Sequence, residues 1–424
     1  MMSLFTRQRL MRLSGFASTQ VVVQAIGFAS GILLVRSLDQ AQYGYYTLAL
    51  GMMGVAGTLG DLGLASAVMA IGGRLVGRRR ALGQLVSDAN RLLHRLAWLA
   101  LAVLAPCCAA LLLRQHAGPW QVAALTVLIA ASAALNVRAG VTLSVTRLLG
   151  HAEVQQKLDL GMNLLKLGVL MLAAWVALDA TVAMLANLGV AAGYFLLLRR
   201  HVAAEFEVPA SPAGEHAAAL RGLLWKQGPN AIYYVLSSQI AIWLIGLFGS
   251  AERVAEAGAL GRLGALFTVI GTVTAAFILP YFARRDDPAE LASGFLGVNG
   301  FFAAMLATLL LLAVEFPSAI LWVLGHRYAE LRAELVWMVA AATLAAWGGA
   351  VFSIGCARGW VMPVGVSIAT GVTATAMAAS IVDVSSVRGS FMINTAIGLA
   401  GTLVAIAYFG WQLRIHSRLR AATP

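Results

Sequence analysis

Three ionisable side chains lie inside stretches otherwise too apolar to carry them: Asp61, Lys166 and Arg262. A charge at the centre of a membrane-spanning helix costs about 2.5–3.5 kcal/mol on insertion scales, and such residues normally face a cavity or a partner. Lys166 continues a stripe begun by Asp159 and Asn163, at i, i+4 and i+7 on one helical face. Gln20, Gln24, Gly27 and Gly31 repeat the pattern nearer the N-terminus. Asn230, Tyr233 and Ser237 do so later, with Gln239 beside them, and Arg262 is followed by Thr268 and Thr272. Arg36 sits close enough to a span end to reach the interface by its own length. The chemistry on offer is the passage of a charged, hydrogen-bonding solute. The competing explanation is internal: interhelical hydrogen bonds worth about 0.6 kcal/mol each, and a buried ion pair, for Asp61 with Arg74 or Arg138.

The setting of Asp61 is unusual. In GMMGVAGTLGDLG, residues 51–63, glycine recurs every third position between apolar, proline-free flanks, and the stretch reads as one buried helix. Each glycine weakens a helix by roughly 0.8–1 kcal/mol relative to alanine. Three-residue steps turn about 300°, so the glycines trace a slow spiral rather than a flat face. Close packing accounts for some of them, and a helix built this way bends easily. Counted from Gly44, Asp61 lies about 25 Å along the helix, near the inner end of an about 30 Å hydrocarbon core. That depth suits gating or ion coupling.

These groups need a membrane scaffold around them, and the composition supplies one. Of 424 residues, 60% are hydrophobic and 11% charged, with mean hydropathy +0.82, against about 25% charged in soluble domains. Runs of about 20 apolar residues place twelve spans near 14–36, 44–71, 92–113, 120–140, 158–178, 180–198, 227–249, 256–282, 292–314, 334–355, 361–381 and 390–411. With the N-terminus inside, 22 Lys and Arg residues face the cytoplasm and six the opposite side; Lys166 and Arg262 are left within spans. The positive-inside rule then puts both termini in the cytoplasm. The net charge of +12 is thus a topology signal and makes no case for nucleic acid.

The expected architecture is an all-α integral membrane protein in two six-helix halves. The N-terminal lobe is residues 1–200, a proline-containing cytoplasmic linker 201–221, and the C-terminal lobe 222–424. The loops SLDQAQYGYYTLAL and SAERVAEAGALGRL are weakly alike where a repeat of the halves would put them. Segment 315–334 is partly amphipathic and reads as an interfacial helix.

Several chemistries lack their residues. No GxxxxGK[ST] is present to cradle nucleotide phosphates. The histidines are scattered, with no HExxH or CxxC, so no metal site and no cofactor is expected. Cys107 and Cys108 are adjacent and Cys356 ends a span, so no disulfide is expected. An enzyme finds no motif to stand on.

Three stretches carry a family likeness. "VRSLDQAQYGYYTLALGMMGVAGTLGDLGLASAV" resembles the first-to-second helix signature of polysaccharide (O-antigen type) flippases, through Arg36, Leu38, Tyr43, Gly44, Tyr46 and the run Leu62 to Leu64. "RLLGHAEVQQKLDLGMNLLKLGVL" is similar to that family's fourth-to-fifth helix stretch, including a basic residue at Lys166. "WVLGHRYAELRAELVWM" is similar to its segment before the tenth helix. The likeness covers nearly the whole chain. It implies the multidrug/oligosaccharidyl-lipid/polysaccharide exporter superfamily, a MATE-like fold and residence in the bacterial cytoplasmic (inner) membrane. It also implies movement of a polyprenyl-diphosphate-linked oligosaccharide to the outer leaflet, for O-antigen, lipopolysaccharide or related polysaccharide biosynthesis. Lys166, Arg262 and Arg36 would then meet the anionic head, and Asn163, Gln24 and Gln239 its hydroxyls, with Asp61 in gating or ion coupling. Membrane lipid is the surrounding partner, and polysaccharide assembly proteins stay open as further ones. A cation-coupled multidrug exporter of the same superfamily and a membrane glycan polymerase or ligase are the rival functions.

Overall fold

The computed structural model describes residues 7–73, 75, 77–202, 214–274 and 278–422. The chain divides into two compact units, Met1–Gln239 and Ile240–Pro424. Unit 1 holds α1 (Arg7–Ser37), α2 (Gln40–Asp61), α3 (Leu64–Gly72), α4 (Arg79–Arg114), α5 (Pro119–Leu148), α6 (Ala152–Val176), α7 (Ala180–Val202) and most of α8 (Ala217–Phe248). Unit 2 holds α9 (Ala251–Gly264), α10 (Thr268–Val273), α11 (Leu279–Arg284), α12 (Pro288–Glu315), α13 (Pro317–Trp322), α14 (Arg332–Ala357), α15 (Val364–Ala379) and α16 (Val387–Ala422). The polar stretch read as 201–221 is shorter than expected at both ends, because α7 runs to Val202 and α8 begins at Ala217.

Among the described residues, eleven helices are long and apolar enough to cross a membrane. They fall on eleven of the twelve expected spans. The remaining one, 361–381, is α15, which Pro363 opens and Ser380 closes after 16 residues. At 1.5 Å per residue that is about 24 Å, short of an about 30 Å core. The outward faces are apolar: Leu99, Val103, Leu172, Val176, Leu296 and Leu311 are all exposed, as lipid requires. Trp120, Trp175, Trp225 and Trp322 are more than 70% exposed near helix ends, where amphipathic rings sit at the headgroup level. This is a multi-pass integral membrane protein.

The stretch 51–63 is not one continuous helix. Leu62 (φ 43°) and Gly63 (φ 87°) both adopt the left-handed conformation, so α2 stops at Asp61 and α3 restarts at Leu64. Five apparently equivalent glycines prove to have different reasons. A Cβ at Gly51 would lie 2.7 Å from Gln239 Oε1, and one at Gly60 3.1 Å from Val137 Cγ2. Gly63 supplies a positive φ that most side chains resist. Gly54 and Gly57 face open space, with nothing within 4 Å of a would-be Cβ. After the break, α3 buries Leu64, Ala67 and Val68 among Leu82, Leu85 and Val141, in a core that Val202 and Leu220 complete.

In unit 2 the expected span 256–282 is also interrupted: α9 ends at Gly264, a 3-10 turn covers Ala265–Phe267, and α10 follows. The helix starts earlier than expected, at Ala251, drawing Glu252, Arg253 and Glu256 into its first turns. In unit 2, α14 packs closely against α16. There a Cβ at Gly348 would meet Thr402 Oγ1 at 2.8 Å, and one at Gly398 would meet Leu344 Cβ at 3.0 Å. Small residues thus bring the two helix backbones together. Phe295 stacks on Phe409 with centroids 4.1 Å apart.

Candidate functional site

In unit 1, α1 lies along α6, and the two polar stripes meet. A Cβ on Gly27 would stand 4.0 Å from Asn163 Oδ1, so the glycine face of α1 adjoins the Asn163 face of α6. Asn163 Nδ2 donates back to the Asp159 carbonyl at 2.7 Å. A chain of hydrogen bonds leads away from it: Gln155 Nε2 donates to Asp159 Oδ2 (3.3 Å), and Arg147 Nε donates to Gln155 Oε1 (3.0 Å). The Asp159 carboxylate is thus engaged at one oxygen, Oδ2, by the Gln155 amide.

Lys166, one turn beyond Asn163, differs from it. Its side chain is half-buried, and among the described residues no ion pair joins it to a carboxylate. A cation in a low-dielectric setting without a counter-charge carries a desolvation cost that an anionic ligand would offset. Gln24 is exposed on α1 and Gln20 half-buried.

The remaining expected site residues are not shown in that cluster. Arg36 is exposed in the last turn of α1, where the helix macrodipole favours a cation. Gln239 lies against α2 at Gly51; its Oε1 is buried without a hydrogen-bond partner. Arg262 belongs to unit 2, half-buried in the last turn of α9. The side chains of Asn230 and Thr272 lie outside the described residues.

Asp61 occupies the break between α2 and α3. Its Oδ2 accepts from the Gly63 amide (3.1 Å) and its Oδ1 from the Ala65 amide (2.9 Å). The carboxylate thus satisfies amides at the start of α3 that have no intrahelical acceptor. Among the described residues it forms no ion pair with Arg138, and Arg74 lies outside them.

Sequence reasoning missed three anchoring groups. Asp88 is buried on α4, and its two oxygens accept from the Gly214 and His216 amides, each at 3.1 Å. Gln42 exchanges hydrogen bonds with Gln121 and accepts from the Ala180 amide at 3.1 Å. With Asn187 donating to the Tyr46 hydroxyl (3.2 Å), it ties the start of α2 to α5 and α7. In unit 2, Arg358 donates to the carbonyls of Phe282 (2.9 Å) and Arg285, and to Asp286 Oδ1 (3.0 Å). Its guanidinium also lies 4.8 Å from the Trp360 ring centre. The available signal for Asp88 was an acidic residue alone among the arginines of 78–95. For Gln42 and Arg358 the sequence held none.

Outside the spans, two charged groups are tuned by their neighbours. The Ser385 hydroxyl and amide, with Arg253 nearby, hold the Asp383 carboxyl below the usual range. A hydrogen bond to Glu290 raises Arg285.

No protein-family model and no curated protein sequence matches this chain. Solved structures do. An inward-facing multidrug resistance MATE family transporter of the MOP superfamily superposes with TM-score 0.67 at 14% identity, over 96% of this chain and 100% of that one. Lipid II flippase MurJ in an inward closed conformation gives 0.72 at 10% identity, over 94% and 87%. A MOP superfamily transporter from Pyrococcus furiosus gives 0.62 at 16%, over 97% and 96%. Identities this low speak for fold alone, and the chain has the all-helical, multi-span membrane fold shared by the MATE transporters and MurJ.

Proposed function

We propose that this protein is a transporter of the MOP superfamily, and within it a flippase for a polyprenyl-diphosphate-linked oligosaccharide. It would act in the bacterial inner membrane, in polysaccharide biosynthesis. The observation that carries the reading is Lys166: a half-buried cation on a polar helix face, without a carboxylate partner among the described residues. Asn163 beside it and Gln24 on α1 offer hydrogen-bonding groups to sugar hydroxyls, and the diphosphate supplies the missing negative charge. Arg262 in unit 2, and Arg36 at the end of α1, would engage the anionic head at other stages of alternating access.

A cation-coupled multidrug exporter has the same fold but the opposite electrostatic need, an acidic group ready to receive an organic cation. Asp61 spends both oxygens on the amides of its own turn, and Asp159 accepts at Oδ2 from Gln155. That favours the anionic substrate. A glycan polymerase or ligase would need a large external catalytic loop, which the sequence does not provide.

Replacing Lys166 or Arg262 by alanine in the host organism tests the assignment. Surface glycan is expected to fall at least tenfold while membrane protein levels hold. Normal glycan display in both variants would remove the basic-residue reading.

A further inference from the structure

Two histidines outside the polar face of α1 and α6 are brought together from 50 residues apart. His151 follows the end of α5, and His201 lies in the last turn of α7. His201 Nε2 is 3.1 Å from His151 Nδ1, with ring centroids 5.1 Å apart and planes at 70°. The backbone that carries each ring is anchored. The Gly150 amide donates to the Arg147 carbonyl (3.1 Å) and the His151 amide to the Thr146 carbonyl (3.0 Å). Gly150 takes the positive φ of 79° that closes this turn. On the other side Val202, next to His201, is fully buried in the core of unit 1. The imidazoles are therefore presented by fixed backbone.

We propose that His151 and His201 form a binding site for a divalent transition-metal ion of the zinc, nickel or copper type. Zinc binds imidazole nitrogen at about 2.0–2.1 Å, so two ligands at tetrahedral corners stand about 3.3–3.4 Å apart. The observed 3.1 Å is a few tenths of an ångström short of that edge, a gap that a small ring rotation closes. Without metal, one ring donates to the other; binding requires each neutral ring to carry its proton on the far nitrogen and to turn so that both freed lone pairs meet at the metal. Imidazole selects these metals over magnesium and calcium, which prefer oxygen ligands.

Among the described residues no group of three or more His, Cys, Asp or Glu could hold a metal. The described residues thus supply two ligands, and with water as the rest the site would be open and exchangeable rather than a structural zinc centre. A metal there would clasp the α5–α6 turn to the end of α7. Arg147, the first residue of the hydrogen-bonded chain that ends at Asp159, belongs to that same turn. Binding would therefore stiffen one end of the polar face carrying Lys166.

Thermal unfolding of the purified full-length protein in detergent tests this with ZnCl2, NiCl2 and MgCl2, after prior treatment with a chelator. The midpoint is expected to rise with zinc and nickel and not with magnesium. His151→Gln and His201→Gln should each abolish the rise, while His94→Gln keeps it. Zinc titration calorimetry on the same folded samples should give one site, weakened at least tenfold in either variant. No response in the wild type, a response preserved in both variants, or an equal response to magnesium would overturn the proposal.

Discussion

Residues 51–63 show how one repeated residue type serves unrelated ends. Gly51 admits the Gln239 side chain, Gly60 admits Val137, Gly63 turns the chain, and Gly54 and Gly57 border open space. Substitutions should separate accordingly. Gly60→Leu overpacks against Val137 and should destabilise by about 1–3 kcal/mol, seen as a lower unfolding midpoint. Gly57→Leu places its Cβ more than 4 Å from any neighbouring heavy atom and should leave stability nearly unchanged. If α2 borders the transport path, that same variant should lose transport; a stable and fully active Gly57→Leu would show that the space is idle. Asp61→Asn keeps one acceptor for two amides, costing about 1 kcal/mol as for a lost cap. A stable Asp61→Asn protein without transport would give Asp61 a role in gating or ion coupling beyond its cap. Normal transport would leave it as the cap of α3 alone.

Hydropathy alone made the helices legible, because lipid demands long apolar runs and these overlap little with loops. It failed where backbone geometry decides. Leu62 enters the left-handed region although nothing in its type asks for it, and the Asp61 cap becomes readable only once the break is known. The stripe Asp159–Asn163–Lys166 was legible from helical period, whereas Gln239 meeting Gly51 joins positions far apart in the chain. Arg358 is the strongest example: its partners lie more than 70 residues away. Arg358→Ala should lower stability by about 2 kcal/mol, the lower part of the range for charged hydrogen bonds, because Asp286 is exposed and contributes little. Arg358→Lys should restore only part of it, lacking the planar fork. Thermal unfolding of both variants measures this. At the turn before α16, the depressed Asp383 has a definite sign. Its stabilisation is complete above about pH 4 and is lost as pH falls through the lower folded-state value. Amide exchange at Ser385, whose N–H donates to Asp383 Oδ1, should therefore speed up on acidification once corrected for intrinsic rates. Asp383→Asn should make it insensitive to pH.

For the molecule as a whole, sidedness rests on the distribution of arginine. Gly118→Cys, exposed before α5 with open space around its Cβ, and Ser318→Cys should label from outside intact cells. Ala213→Cys, in the linker, should label only after permeabilisation; the reverse pattern would invert the topology. The fold is compatible with either an anionic lipid-linked substrate or an organic cation, and in the proposed function Lys166 is the residue that separates them. The most direct measurement is transport by the purified protein in liposomes, offering a fluorescent polyprenyl-diphosphate oligosaccharide and a cationic dye in parallel. The account predicts that wild type moves the diphosphate lipid and not the dye, and that Lys166→Ala loses at least tenfold of that rate while Lys166→Arg retains most of it. Transport of the dye with no movement of the diphosphate lipid, or full activity of Lys166→Ala, would contradict it.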